Sequence, residues 1–265
     1  MSSIARPIFD SCAHPTLSGE WTGGRTGLTF RDLAALRDEL PLYNALAIGL
    51  PGVGDYEHGA FKRECDTWGF EGIAALTTVE HQTLGREFDA IASHGFRGVK
   101  IHPRLLRRNT SLDYLSNVFT MCQRFDLVCL LCTYEADKPG SLPSSDPFYR
   151  VCGALNDVPD VRLILMHGGG ARILQYAGLA RHSESILLDL SFTLNDFMTA
   201  SLAPSIKDLF LRLDRRLCIG SDSPEFTIAE TLKRVIAIAG DSNSEKLDNV
   251  LSRNLYRFFP SPIKQ

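Results

Sequence analysis

Several things are missing from this 265-residue chain, and each absence removes a class of protein. There is no excess of charge of one sign: the formal net charge is −3 and the isoelectric point about 6.2. No field therefore favours nucleic acid or an anionic membrane surface. No apolar run is long enough to span a bilayer, and the first residues, "MSSIARPIFD", lack the apolar stretch of a secretory signal. The seven cysteines are odd in number and scattered, so reduced thiols in a cytoplasmic protein fit better than a disulfide framework. No low-complexity stretch marks a linker, and residues 1–265 read as one domain. What remains is 44% hydrophobic and 22% charged, an ordinary globular composition. The expected partner is a small-molecule substrate, with neither nucleic acid nor membrane. A homo-oligomer is compatible with the sequence and not required by it.

Short apolar runs recur along the chain, each ending near Gly, Pro, His or Asp. Eight of them read as strands: 7–14, 44–50, 71–79, 96–102, 127–133, 161–167, 185–191 and 216–222. Between and after them lie segments with apolar positions three and four residues apart, the helical period, at 29–40, 84–95, 112–125, 226–240 and 244–259. Each interval between strands has room for a crossover helix, so parallel pairing is the natural connection. A doubly wound open sheet uses the same alternation. The count of eight and the polar residues at strand ends favour the α/β class as a (β/α)8 TIM barrel. The stretches 51–60 and 134–147 read as long loops over the mouth of that barrel.

In such a barrel the C-terminal ends of the strands converge on one site. Here they carry Cys12 and His14, Lys100 and His102, Cys132, His167 and Asp222. Period-two alternation puts Asp10, Cys12 and His14 on one face of the first strand, and Lys100 with His102 on one face of the fourth. Thiolate, imidazole and carboxylate are the ligand types of zinc and related divalent metals. Each residue also has a plainer reading. Asp222 in "GSDSP" suits a helix N-cap, His167 suits a buried strand end, and Lys100 suits a packed stem with a solvated tip. Cys132 as a nucleophile would need a base such as His167 within reach. "HGGG" is also found in esterase oxyanion loops, but no G-x-S-x-G elbow accompanies it. The run Arg104, Arg107 and Arg108 could clamp an anion or form a solvated face, with Arg104 nearest the strand end. Tyr134 and Glu135 follow the fifth strand closely enough to line a pocket. Cys65, Cys122, Cys129, Cys152 and Cys218 read as core. His58, His81, His94 and His182 read as surface residues.

Taken together these segments resemble the amidohydrolase superfamily, in its amidohydrolase-2 branch of barrel hydrolases and decarboxylases. "FDSCAHP" is similar to that branch's Asp-x-His-x-His motif, with Cys12 where the first His belongs. "GFRGVKIHPR" (95–104) resembles the strand-4 signature, and "LVCLLCTYE" the strand-5 segment, with Cys132 in place of a metal-binding His. "LILMHGGG" and "CIGSDSP" match the strand-6 and strand-8 motifs through His167 and Asp222, and "SRNLYRFF" resembles the C-terminal helix. The resemblance implies a divalent metal held by the first-strand pair, the strand-5 residue and Asp222, with a variable role for His167. The two cysteines admit two readings: thiolates that retain zinc at Cys12, His14, Cys132 and Asp222, or a site that has lost its metal.

The same resemblance implies that Asp222 takes a proton from the attacking water, with or without a metal. His167 would orient substrate, and Lys100 or His102 would hold a carboxylate or an oxyanion. In other branches a strand-4 lysine is carboxylated and bridges two metals. The function implied is hydrolysis of a small polar, carboxylated metabolite at an amide, lactone or related C–N or C–O bond. Non-oxidative decarboxylation is the alternative within the family. A non-catalytic relative that binds a metabolite or partner is the alternative outside it.

Overall fold

Alternation along the strands sorts the side chains into two layers. In β4 (Gly98–Ile101), Val99 and Ile101 pack outward on the helices, while Lys100 points into the barrel. In β5 (Val128–Cys132), Val128 and Leu130 point inward and Cys129 and Leu131 outward. Being buried on both faces, such strands need apolar residues at nearly every position. This arrangement comes from a computed structural model, which describes residues 6–78, 80–106, 110–134, 146–196, 201–240 and 244–259.

Among the described residues, eight parallel strands lie side by side in chain order: β1 (Ile8–Ala13), β2 (Leu42–Ile48), β3 (Glu71–Ala75), β4, β5, β6 (Leu163–Met166), β7 (Ile186–Asp189) and β8 (Leu217–Cys218). The crossover helices are α1 (Phe30–Glu39), α2 (His58–Trp68), α3 (His81–Ser93), α4 (Leu112–Arg124), α5 (Pro147–Asp157), α6 (Ile173–His182) and α7 (Ala203–Arg212). A further helix, α8 (Ile228–Ala239), follows β8. The result is the expected (β/α)8 barrel in one domain. Capping boxes start α1 (Thr29 with Asp32) and α8 (Thr227 with Glu230), each satisfying two backbone donors that the first helical turn leaves free. No helix among the described residues is long and apolar enough to cross a membrane.

The barrel closes between β1 and the segment after β8. The backbone N–H of Ser11 donates to Ile219 O (2.9 Å), that of Asp222 to Cys12 O (2.7 Å) and that of His14 to Ser223 O (3.0 Å). The Asp10 carboxylate fastens this seam by accepting from Cys12 N (3.0 Å), Ser221 N (2.9 Å) and Ser221 Oγ (2.7 Å). Asp10 is thereby turned toward β8. Its pairing register breaks before Ala13, so it does not share the face of Cys12 and His14 as simple alternation predicts. Burial raises its pKa to about 7 against those hydrogen bonds.

Three further expectations are corrected. The strand expected at 216–222 shrinks to Leu217–Cys218, and Asp222, beyond it, adopts a left-handed backbone (φ 57°). The loop expected at 51–60 yields to α2 at His58, since the Glu57 carboxylate caps Gly59 N and Ala60 N at 2.8 and 2.7 Å. The helix expected at 244–259 is interrupted by a π turn, Asn249–Arg253. There Asn254 Nδ2 reaches back to Asp214 O (2.6 Å) and Leu217 O (2.7 Å). This draws Leu255 and Phe259 into the barrel-interior cluster with Phe9 and Leu46.

Gly220 stands where the seam is tightest. A Cβ there would lie 2.6 Å from Cys12 N and 2.7 Å from Ser11 Oγ. Gly220→Ala is therefore expected to lower unfolding stability by about 3 kcal/mol, in the overpacking range. Urea denaturation would show this as a lower midpoint with an unchanged slope.

Candidate active site

The mouth is built by strand ends with strained backbone. Left-handed non-glycine residues terminate three successive strands: His167 (φ 63°) after β6, Phe192 (φ 61°) just after β7, and Asp222 after β8. Such conformations persist only where surrounding contacts over-determine them. Here Asp189, at the end of β7, supplies those contacts. Its carboxylate accepts from His167 N (3.0 Å), Ser191 N (3.2 Å) and the hydroxyls of Ser11 and Ser191. The His167 carbonyl in turn accepts from Thr193 Oγ1.

At the centre, Cys12 Sγ donates to Asp222 Oδ1 (3.1 Å) and lies 3.5 Å from His14 Nε2. His14 Nε2 is 3.4 Å from Asp222 Oδ1. Lys100, 1% exposed, enters from β4 with Nζ 3.4 Å from His14 Nε2 and 3.7 Å from Cys12 Sγ. His14 Nδ1 lies 3.0 Å from Ile48 O, an arrangement that assigns the ring proton to Nδ1 and leaves Nε2 as the acceptor for Lys100. Burial, then the Lys100 charge, lowers the His14 pKa and keeps the ring neutral. Burial pushes the Cys12 thiol up. Burial also pushes the Asp222 carboxyl up, but the charges of His167 and Lys100 outweigh it. They hold Asp222 well below the usual carboxylate range. Its side chain keeps 14% exposure against 5% for His14, so it is the member of the pair that water can reach.

Cys132 and His167 form a second pair on the other side of the mouth. Burial would raise the Cys132 thiol, but the charge of His167, the hydrogen bond between them, Arg104 and Lys100 bring it down to about 6. Burial would lower the His167 imidazole; Asp222 and Cys132 raise it. His167 Nδ1 also lies 3.1 Å from Ser191 Oγ. His102 shares the inward face of β4 with Lys100. Its buried Nδ1 has no hydrogen-bond partner among the described residues. Burial, Lys100 and Arg104 keep its ring neutral, well below the ordinary imidazole range. Exposed Arg104 lies over the Tyr134 ring (4.5 Å), and Tyr134 packs on Phe192 (4.8 Å), giving the mouth one aromatic wall. On the opposite side, Trp21 lies against His14 (5.8 Å between rings) and donates to Glu225 (2.8 Å).

Among the described residues, Cys12, His14 and Asp222 are the group whose donors lie close enough together to hold a metal ion. Cys132 and His167, expected with them, are not in that group. The three donor atoms lie 3.1–3.5 Å apart, and Lys100 Nζ crowds them, 3.4 Å from His14 Nε2 and 3.7 Å from Cys12 Sγ. An ammonium does not coexist with a divalent ion about 2 Å away, a ligand's bond length. As it stands, the cluster does not fit a metal.

Of the other predicted residues, Arg107, Arg108 and Glu135 lie outside the described residues, as does the side chain of His81. His94 and His182 are exposed. His58 is half-buried, 2.7 Å from Tyr56 Oη and 3.6 Å from Glu87, which corrects its assignment to the surface. Cys65, Cys122, Cys129 and Cys218 are core, whereas Cys152 is half-buried on α5. Sequence reading missed Asp189 and Ser191, although an acid closing an apolar run is the same signal that marks Asp222. Trp21 and Glu225 left no such signal, because they sit in loops whose approach only the fold decides.

With this geometry in view, the family is settled: residues 68–260 match the amidohydrolase family, and the chain belongs to it. No curated protein sequence matches significantly. Among solved structures the chain is similar to an uncharacterised TIM-barrel protein from Bordetella bronchiseptica (13% identity, TM-score 0.77, covering 95% of this chain and 98% of that one). It is also similar to a protein from Acinetobacter baumannii described as a probable 2-pyrone-4,6-dicarboxylic acid hydrolase, solved with citric acid bound (14%, 0.63, 96% and 99%). A third is the dihydroorotase of Campylobacter jejuni (12%, 0.63, 95% and 82%). At these identities the likeness carries the fold.

The pairing of Cys132 with His167 is open to direct measurement. The ultraviolet thiolate absorbance of the folded protein is expected to rise with a midpoint about 6, well below the ordinary thiol value of 9.0. Cys132→Ser should remove that step and leave the absorbance of the other thiols unchanged.

Proposed function

We propose that this protein hydrolyses a small, polar, carboxylated metabolite at an amide, lactone or related C–N or C–O bond. The observation that carries this reading is the Asp222 carboxylate: ionised, reachable by water, and facing a mouth lined by Lys100, His102, Arg104 and His167. In the reaction, a water on Asp222 attacks the substrate carbonyl carbon and passes its proton to the carboxylate. The carbonyl oxygen gains negative charge, which the Lys100 ammonium and the His167 imidazolium are suited to hold. Collapse breaks the bond to the leaving oxygen or nitrogen, which takes the proton back from Asp222. Arg104, above Tyr134 at the rim, is suited to the substrate's carboxylate. Family membership supports hydrolysis, as do the names of two structural neighbours, one of them a dicarboxylic acid hydrolase.

The test is a panel of carboxylated lactones and amides. For any that turns over, Asp222→Asn should lower kcat roughly a thousand-fold, within the general-base range. Asparagine tolerates the left-handed backbone, so the variant keeps the fold. The sign of the pH dependence follows from His167. Its pKa is raised, so activity that needs the imidazolium is present below that pKa and lost as pH rises through it. That alkaline limb should disappear in His167→Asn. Turnover unchanged in Asp222→Asn defeats the reading, and carbon dioxide release without water addition would replace it by decarboxylation.

A further inference from the structure

We infer that the Lys100 ammonium is the resident cation of this site, standing against the donors that would otherwise hold a divalent metal, and that the protein binds no metal there. The inference rests on the geometry of the cluster and is independent of the hydrolytic reading.

The first argument is spacing. A tetrahedral zinc site with bonds of 2.0–2.3 Å has neighbouring ligand atoms roughly 3.3–3.8 Å apart. Cys12 Sγ, His14 Nε2 and Asp222 Oδ1 lie 3.1, 3.4 and 3.5 Å from one another. Lys100 Nζ adds separations of 3.4 and 3.7 Å to His14 and Cys12. The ammonium, with its positive charge and three protons, therefore lies directly against two of the three donors. An ion at the centre would meet those protons directly. Occupation by the ammonium and by a metal are mutually exclusive.

The second argument is hydrogen bonding. The cluster is already satisfied: Lys100 donates to His14 Nε2 and Cys12 Sγ, the Cys12 thiol donates to Asp222, and His14 Nδ1 donates to Ile48 O. No donor or acceptor of this set needs an ion to complete it. The single positive charge faces the single negative charge of Asp222, so the cluster is neutral as built.

The third argument is confinement. Lys100 is the largest charged side chain fully buried among the described residues, and it leaves β4 between inward neighbours Gly98 and His102. A Cβ on Gly98 would lie 2.7 Å from Val128 O, so the backbone beneath the lysine is packed tightly against β5. Withdrawing the ammonium to admit a metal would leave it buried against apolar walls, which costs far more than an exposed lysine would pay.

Zinc uptake tests the inference without reference to activity. Wild-type protein, equilibrated with zinc and dialysed, should retain less than about a tenth of an equivalent by elemental analysis, with its Tm unmoved by zinc or chelator. Lys100→Met, which keeps the stem and removes the charge, should take up about one equivalent through the three donors thus released. Loaded with cobalt(II), that variant should show a thiolate-to-cobalt absorbance that vanishes when Cys12→Ser is added. Stoichiometric zinc in the wild type overturns the inference, and so does a folded Lys100→Met that stays metal-free. If Lys100→Met does not fold, the wild-type uptake and Tm measurements still decide the matter.

Discussion

A buried positive charge governs this site. Taking an ammonium out of water is expensive unless negative charge and hydrogen-bond acceptors meet it. Lys100 is met by His14, Cys12 and, across the cluster, the ionised Asp222. The states of the neighbours follow from that one charge. It helps keep His14 and His102 neutral, helps hold Asp222 ionised and contributes to the low pKa of Cys132. Cys12 fits this arrangement, since a thiol accepts from an ammonium without adding positive charge.

Two buried carboxylates then divide the labour. Asp189 orders backbone: it fixes the ends of β6 and β7, where His167 and Phe192 adopt conformations that few side chains tolerate. Asp222 is itself held by backbone, through its N–H on Cys12 O, and so presents its carboxylate to the mouth. The strain at these strand ends is located where chemistry is proposed, the usual place for it to persist.

Much of the fold was legible because parallel strands covered on both faces must be apolar almost throughout, and eight such runs at crossover spacing leave few topologies. The strand-end residues were legible by alternation, which pairs Cys12 with His14 and Lys100 with His102; the structure sets Lys100 beside Cys12 and His14. Their division into two sets was not. Whether Cys132 reaches Cys12 or stops at His167 depends on barrel stagger and on the left-handed turn at His167, neither of which has a signature in the run "LILMH". The seam was hidden for a similar reason: the register break that turns Asp10 toward Ser221 interrupts a strand that looks regular in sequence.

That seam has a consequence for how the molecule comes into being. The first strand finds its second partner only in the segment after the eighth, with Cys12 O accepting from an N–H 210 residues further along. While the chain is being made, Cys12, His14 and Lys100 exist without the carboxylate that neutralises them. The first strand also has an open edge for most of synthesis, when it is exposed to unwanted pairing. The site is therefore the last part of the barrel to assemble. Its charge balance can be complete only in a chain that has already closed.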